Sequence, residues 1–273
     1  MSRYKKMLEI IGDLSDFSVY KIRGSDEPVV RRKGGPSSRM VKTHDAFENT
    51  RRYNMEFGGR ATISSHVMNI LRPMKLLGDY NLAGPLNAMF KPIQGLDTVS
   101  DLGERNIELT KNPKLLEGIN LNRRTSFESI IANPLKYTLS KDALEASVTF
   151  PELIPNVNFF LPGNFGWYKF IAVLGMVPDV FFNFRGYCLK SGYHTRPSNS
   201  FKMAHSDWFT ISQQSKAVTL TCNIMDMRQA IIKEAGENNY SCLLGVGIAF
   251  GAMDRGEVEI IKYVGGGKIL AMV

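Results

Sequence analysis

From residue 136 onward apolar residues recur at every second position, and no other feature of the chain constrains its fold as strongly. Successive side chains of a strand leave opposite faces, so this period marks segments with one buried side. The expected strands are Leu144 to Phe150, Val157 to Leu161, Trp167 to Leu174, Val180 to Phe184, Lys202 to Ser212, Ala217 to Met225, Ser241 to Phe250, Glu257 to Tyr263 and Lys268 to Val273. Between them fall Pro151, Pro155, Pro162-Gly163-Asn164, Pro178, Ser191-Gly192, Pro197-Ser198, Gly236-Glu237-Asn238-Asn239 and Gly265-Gly266-Gly267, spaced as the connections of an all-β domain. Short strands with little helix predict an antiparallel β-sandwich over residues 136–273.

Residues 1–135 follow a different pattern. Phe17, Val19 and Lys21 alternate with Ser18 and Tyr20, Gly24 to Pro28 supply turn chemistry, and Val29 to Lys33 form a second run. That predicts a basic hairpin, stopped by Gly34-Gly35-Pro36. Thr43 or Asp45 can cap a helix that turns Phe47, Tyr53 and Phe57 to a core and ends at Gly58-Gly59. A second helix is expected over Ala61 to Leu71, and a third, broken by Gly78, Gly84 and Pro85, over Lys75 to Phe90. Ser126 to Ile131 is strand-like, and Asn133-Pro134 places a boundary near 135. The predicted class is therefore α+β: a basic hairpin and small helical cluster over 1–135, then the antiparallel β-sandwich over 136–273.

Charge separates the same two parts. Residues 1–141 carry 23 Lys+Arg against 15 Asp+Glu, whereas residues 142–273 carry 11 of each. A one-sided field of this kind bears on partners, such as nucleic acid or an acidic protein surface, and says nothing about fold. The candidate contact residues are Lys21, Arg23, Arg31, Arg32, Lys33, Arg39, Lys42, Arg51 and Arg52. Their bland reading is a solvated charged face, with Glu48 and Arg52 at the favoured i,i+4 spacing. The N-terminal MSRYKKMLEIIGDLSDFS lacks the apolar run of a signal peptide, so a cytoplasmic protein is expected. The most apolar window, Trp167 to Phe184, contains Lys169, Pro178 and Asp179, which predicts buried strands and no membrane span.

Catalytic and cofactor chemistry finds little support. Cys188, Cys222 and Cys242 are well separated, and His44, His66, His194 and His205 lack metal-ligand spacing, so reduced structural thiols and no metal are expected. Neither Gly58-Gly59 nor Gly265-Gly266-Gly267 fits a phosphate loop, and no cofactor is expected. On a strand His205 and Asp207 share a face while Ser206 points away, which is no triad. Glu152, Asp179 and Asp207 are the carboxylates a glycoside chemistry would draw on.

Four motifs carry a resemblance: S-V-Y-K-x-R-G from Ser18 to Gly24, R-x-K-G-G-P from Arg31 to Pro36, F-E-x-T-R-x-x-N-x-E-F-G from Phe47 to Gly58, and K-Y-x-G-x-x-K-I-L from Lys262 to Leu270. In these the chain resembles a group of uncharacterised proteins from Bacteroidota. The resemblance implies one unit of helical part plus sandwich and names no catalytic residue.

Three functions are open at this point. The first is a non-enzymatic structural or interaction protein that forms a homo-oligomer or docks on a protein partner through its basic N-terminal part. The second is sequence-independent nucleic-acid binding. The third is a carbohydrate-binding or enzymatic sandwich, whose mark would be a pocket lined by Trp167, Trp208 or Tyr193 with convergent carboxylates.

Overall fold

The computed structural model describes residues 12–14, 16–21, 27–32, 34–192, 200–211 and 215–273. It contains helices and antiparallel sheets, an α+β protein. The chain divides into two compact units, residues 1–51 and 52–273. Residues on both sides of position 135 share the cores of the second unit.

In the first unit, strands β1 (Gly12–Leu14), β2 (Phe17–Lys21) and β3 (Pro28–Arg32) form a three-stranded antiparallel sheet in the order β1-β2-β3. A short helix, α1 (Ser38–Thr43), follows. Ser37 caps it, its Oγ accepting from the Met40 N–H at 3.2 Å. A 3₁₀ turn (Asp45–Phe47) leads into helix α2 (Glu48–Ile70), within which the two units divide.

Gly58-Gly59 does not end α2, contrary to the sequence expectation. Gly59 is buried, and a Cβ there would meet the Tyr187 ring at 2.6 Å. Close packing, not chain reversal, explains this glycine. The third helix, α3 (Ala83–Gly95), starts later than its pattern suggested and tolerates Pro92 near its end.

The second unit is built on a five-stranded antiparallel sheet. Its strands are β6 (Trp167–Pro178), β9 (Phe201–His205), β10 (Phe209–Thr210), β12 (Tyr240–Asp254) and β13 (Glu257–Met272). The order is β10-β6-β12-β13, and β9 also pairs with β6. A smaller sheet, order β11-β5-β4, contains β4 (Lys136–Ser140), β5 (Glu145–Phe150) and β11 (Val218–Asn223). The strands β7 (Phe181–Asn183) and β8 (Gly186–Cys188) form a separate pair.

Period two explains how the central sheet is covered. Phe170, Ala172, Leu174 and Met176 of β6, with Leu244, Val246, Ile248 and Phe250 of β12, cluster with Val148 and Phe150 of β5 and Leu220 of β11. The alternate residues Ile171, Val173, Val177 and Leu243 cluster with Ile63, Val67 and Ile70 of α2 and with Met74, Leu77 and Phe90. Each such side chain contributes about 1.5–3 kcal/mol when fully buried. With both faces covered, β6 and β12 read as almost continuous apolar runs. Gly245 and Gly247 face the helical layer, where a Cβ would lie 2.8 Å from Met74 Cε and 2.7 Å from Leu77 Cδ1. The segment just after α2 meets the sheet at glycine distance.

Several expectations for 126–273 are corrected. Ser126 to Ile131 is helical: α4 (Phe127–Ile130) is capped by Ser126 Oγ, which accepts from the Ser129 N–H at 3.1 Å. Val157 to Leu161 is not a strand; Phe159 makes only isolated bridges to Ile131 and Pro155 while its ring is buried. Residues 228–235 form helix α5 (Arg228–Ala235). The last two expected strands are one, β13, whose pairing passes from Gly265 opposite Ala249 to Ile260 opposite Gly251. Residues in this irregularity bond elsewhere: the Tyr263 N–H donates to the Leu76 carbonyl at 2.6 Å.

Candidate functional site

The register of the first sheet determines which basic residues can act together. Ser18 lies opposite Arg31, and Phe17 opposite Arg32. Directly opposed residues of an antiparallel pair share a face. Arg31 therefore shares a face with Ser18, Tyr20 and Val29, whereas Arg32 lies with Phe17, Val19 and Val30. Consecutive arginines serve two faces. Phe17, Tyr20 and Val30 are 45, 41 and 49 % exposed, and Val19 is the buried apolar residue of the described part of this unit.

The remaining candidates have distinct surroundings. For Lys21 only the strand backbone is described, and Arg23 and Lys33 lie outside the described residues. Arg39 and Lys42 are exposed on α1. Arg31, Arg32, Arg39 and Lys42 form no ion pair among the described residues. Arg51 is engaged, its Nη1 donating to the carbonyls of Val41 at 3.0 Å and His44 at 2.8 Å. At Val41 it satisfies a carbonyl near the end of α1, and at His44 it shares a carbonyl that also accepts from the Phe47 N–H at 3.1 Å. Arg52 is half-buried, with its Cβ against Gly103.

Sequence reasoning missed a buried polar cluster in the second unit. Glu56 of α2 is 1 % exposed and accepts two bonds from Arg105, Nε at 2.5 Å and Nη2 at 2.8 Å, and a third from the Gly103 N–H at 3.2 Å. One helical turn on, Arg60 reaches Asn87 Oδ1 at 3.2 Å and Gln94 Oε1 at 2.5 Å on α3. Gln94 Nε2 donates to Tyr187 Oη, whose single O–H has the Gly103 and Arg105 carbonyls in reach, each at 3.0 Å. Burial pushes the Glu56 carboxyl up, but the bonds from Arg105 and Gly103 and the charges of Arg105 and Arg60 outweigh it and hold the group below its usual range. Burial and the Glu56 charge push the Tyr187 hydroxyl well above its ordinary value. These groups join α2, α3, the 103–105 loop and β8.

A small cavity of about 20 Å³ lies elsewhere in the unit, lined by His66, Met176, Ser200, Glu234, Tyr240 and neighbouring apolar residues. That is room for about one water. His66 is 3 % exposed, and its Nε2 has no hydrogen-bond partner among the described residues. Burial lowers its pKa to about 4. A histidine held neutral in this way adds stability above its ordinary value near 6.5 and loses it as pH falls toward 4. We expect the protein to lose about 3 kcal/mol over that interval relative to His66→Leu. Urea titrations of both at pH 7 and pH 4 measure the difference.

The enzymatic candidates are occupied locally. Ser206 Oγ accepts from the Phe170 N–H at 3.0 Å and donates to the Asp207 carbonyl at 2.7 Å. Asp179 is buried and accepts from the Thr110 N–H and hydroxyl. Trp208 lies under Lys169, whose Nζ is 4.7 Å from the ring centroid, while Tyr193 and His194 fall outside the described residues. The three cysteines are free and buried, and burial raises the thiol pKa of each, Cys242 to about 12. No described helix is long and apolar enough to cross a membrane.

Comparison of the chain with protein-family models, with curated proteins and with solved structures gave no match.

Proposed function

We propose that this chain is a non-enzymatic structural or interaction protein that self-associates or docks in a larger assembly through its basic N-terminal unit, with the second unit folded as an antiparallel sandwich. The observation that supports it is the composition of the first unit's surface. Among its described residues one apolar side chain, Val19, is buried, while Phe17, Tyr20, Val30 and Met40 are exposed beside Arg31, Arg32, Arg39 and Lys42. A small unit whose described residues bury so little gains much by covering its surface with another chain. Its strand β3 has no neighbour on the outer side among the described residues, and an open edge accepts a further strand.

Size-exclusion chromatography with light scattering tests this reading. A defined oligomer that survives high salt and carries no absorbance from nucleic acid is expected, and Arg31→Glu with Arg32→Glu lowers its mass. A monodisperse monomer at every salt concentration counts against self-association. Nucleic-acid binding is the second reading, favoured by Arg31 sharing a face with Tyr20, a cation beside a stacking ring. A monomer that releases nucleic acid only at high salt selects it.

A further inference from the structure

One end of the sheet in the second unit carries the opposite charge on the same kind of element. Strands β12 and β13 extend beyond the main sheet as a two-stranded ribbon, in which Ala252 lies opposite Glu259 and Asp254 opposite Glu257. The ribbon closes through Arg255 and Gly256, with φ of 48° and 91°, the conformation of a two-residue hairpin turn. Opposed residues share a face, so Asp254, Glu257 and Glu259 stand together on one side of it. All three are exposed. None forms an ion pair among the described residues. Like charges directly opposed across a ladder destabilise it, so a cationic partner would relieve the ribbon.

The ribbon also has an open edge. Residues 117–121 cover the outer side of β13 only from Gly267 to Met272, through backbone bonds at Gly267 and Ile269 and the Glu117 carboxylate at Met272. From Glu257 to Lys262 that side has no backbone partner among the described residues.

We infer that Asp254, Glu257 and Glu259 form the receiving surface for the basic strand β3 of a second copy of this chain. The occupant follows from complementarity: an anionic strand with an open edge here, and in Pro28–Arg32 a strand that, among the described residues, has an open edge and two exposed arginines without an ion pair. Edge pairing supplies main-chain bonds, and the charges select the partner. The two surfaces differ, so the contact is heterologous. This inference rests on self-association through the N-terminal unit and names the surface it meets.

The experiment uses two full-length variants, Arg31→Glu/Arg32→Glu and Glu257→Lys/Glu259→Lys, alone and mixed, by light scattering at low salt. Each variant alone is expected to associate at least about tenfold more weakly than the parent. The equimolar mixture restores assembly, because each variant then offers a surface of opposite sign to the other. Restoration cannot come from misfolded chains, so lost folding is not confused with lost contact. Should the ribbon variant associate like the parent while the arginine variant does not, the N-terminal reading survives and the ribbon is excluded. A parent that is monomeric throughout removes both, and a mixture that stays monomeric while the parent assembles also overturns the ribbon contact.

Discussion

Glu56→Ala is expected to lower the stability of the second unit by about 3–5 kcal/mol, the cost of breaking a buried ion pair from one side. The alanine leaves the Arg105 guanidinium without its two carboxylate bonds and Arg60 without the charge 3.7 Å away. The Gly103 N–H loses its acceptor as well. Removing Arg105 too should restore part of the loss, because the second change deletes a cation the first had stranded, so the two effects will not add. Denaturant unfolding of Glu56→Ala, Arg105→Ala and the double variant measures this, and a single-variant loss below about 1 kcal/mol would sink the assignment. The depressed Glu56 carboxyl contributes its stability above the ordinary glutamate range and loses it as pH falls through its lowered folded value. The parent's loss of stability below the ordinary glutamate range should therefore be reduced in Glu56→Ala.

Gly265→Ala should cost at least about 3 kcal/mol, from two causes that act together. Its φ is +113°, where a side chain is strained, and a Cβ would fall on the carbonyl oxygen of Ile248. That oxygen belongs to the backbone of β12, opposite which β13 resumes its register at Ala249 and Gly265. A flexible side chain could turn aside, but this backbone cannot without parting the strands. Gly256 provides the control. Its φ is +91° with nothing within 4 Å of a Cβ, so Gly256→Ala should lose only about 1 kcal/mol of backbone strain. Thermal unfolding of the two variants reads the difference.

The strands in 144–150 and 217–225 could be read because one buried face per strand writes an alternation into the sequence, and those in 167–174 and 241–250 because two covered faces leave a nearly continuous apolar run. Where the same local rules failed, a distant contact had taken over. Gly58-Gly59 looked like a stop, but Tyr187 packs on Gly59 and the helix continues. Val157 to Leu161 had strand composition, yet Asn158 bonds the loop on itself, accepting from the Ile154 N–H and donating to the Glu152 carbonyl. The polar cluster was invisible for the same reason. Glu56, Arg105 and Tyr187 come from separate stretches, and no short-range spacing announces that they meet. Of the basic candidates, Arg31 and Arg32 could be placed on a strand from sequence, but Arg51 could not be recognised as the residue that closes α1.

The placement of the helical layer sets an order of events during synthesis. Ile63, Val67 and Ile70 leave the ribosome well before the strands they cover, since β6 begins at Trp167 and β12 at Tyr240. At ordinary translation rates the delay from Ile70 to Tyr240 is roughly 10–30 s. Throughout that time an apolar helix face and a half-built sheet stay uncovered, and the sheet cannot close before its central strand arrives. Nascent chains stalled ahead of Tyr240 should therefore bind chaperones and yield to proteases, and those stalled after the whole of β13 has emerged should resist.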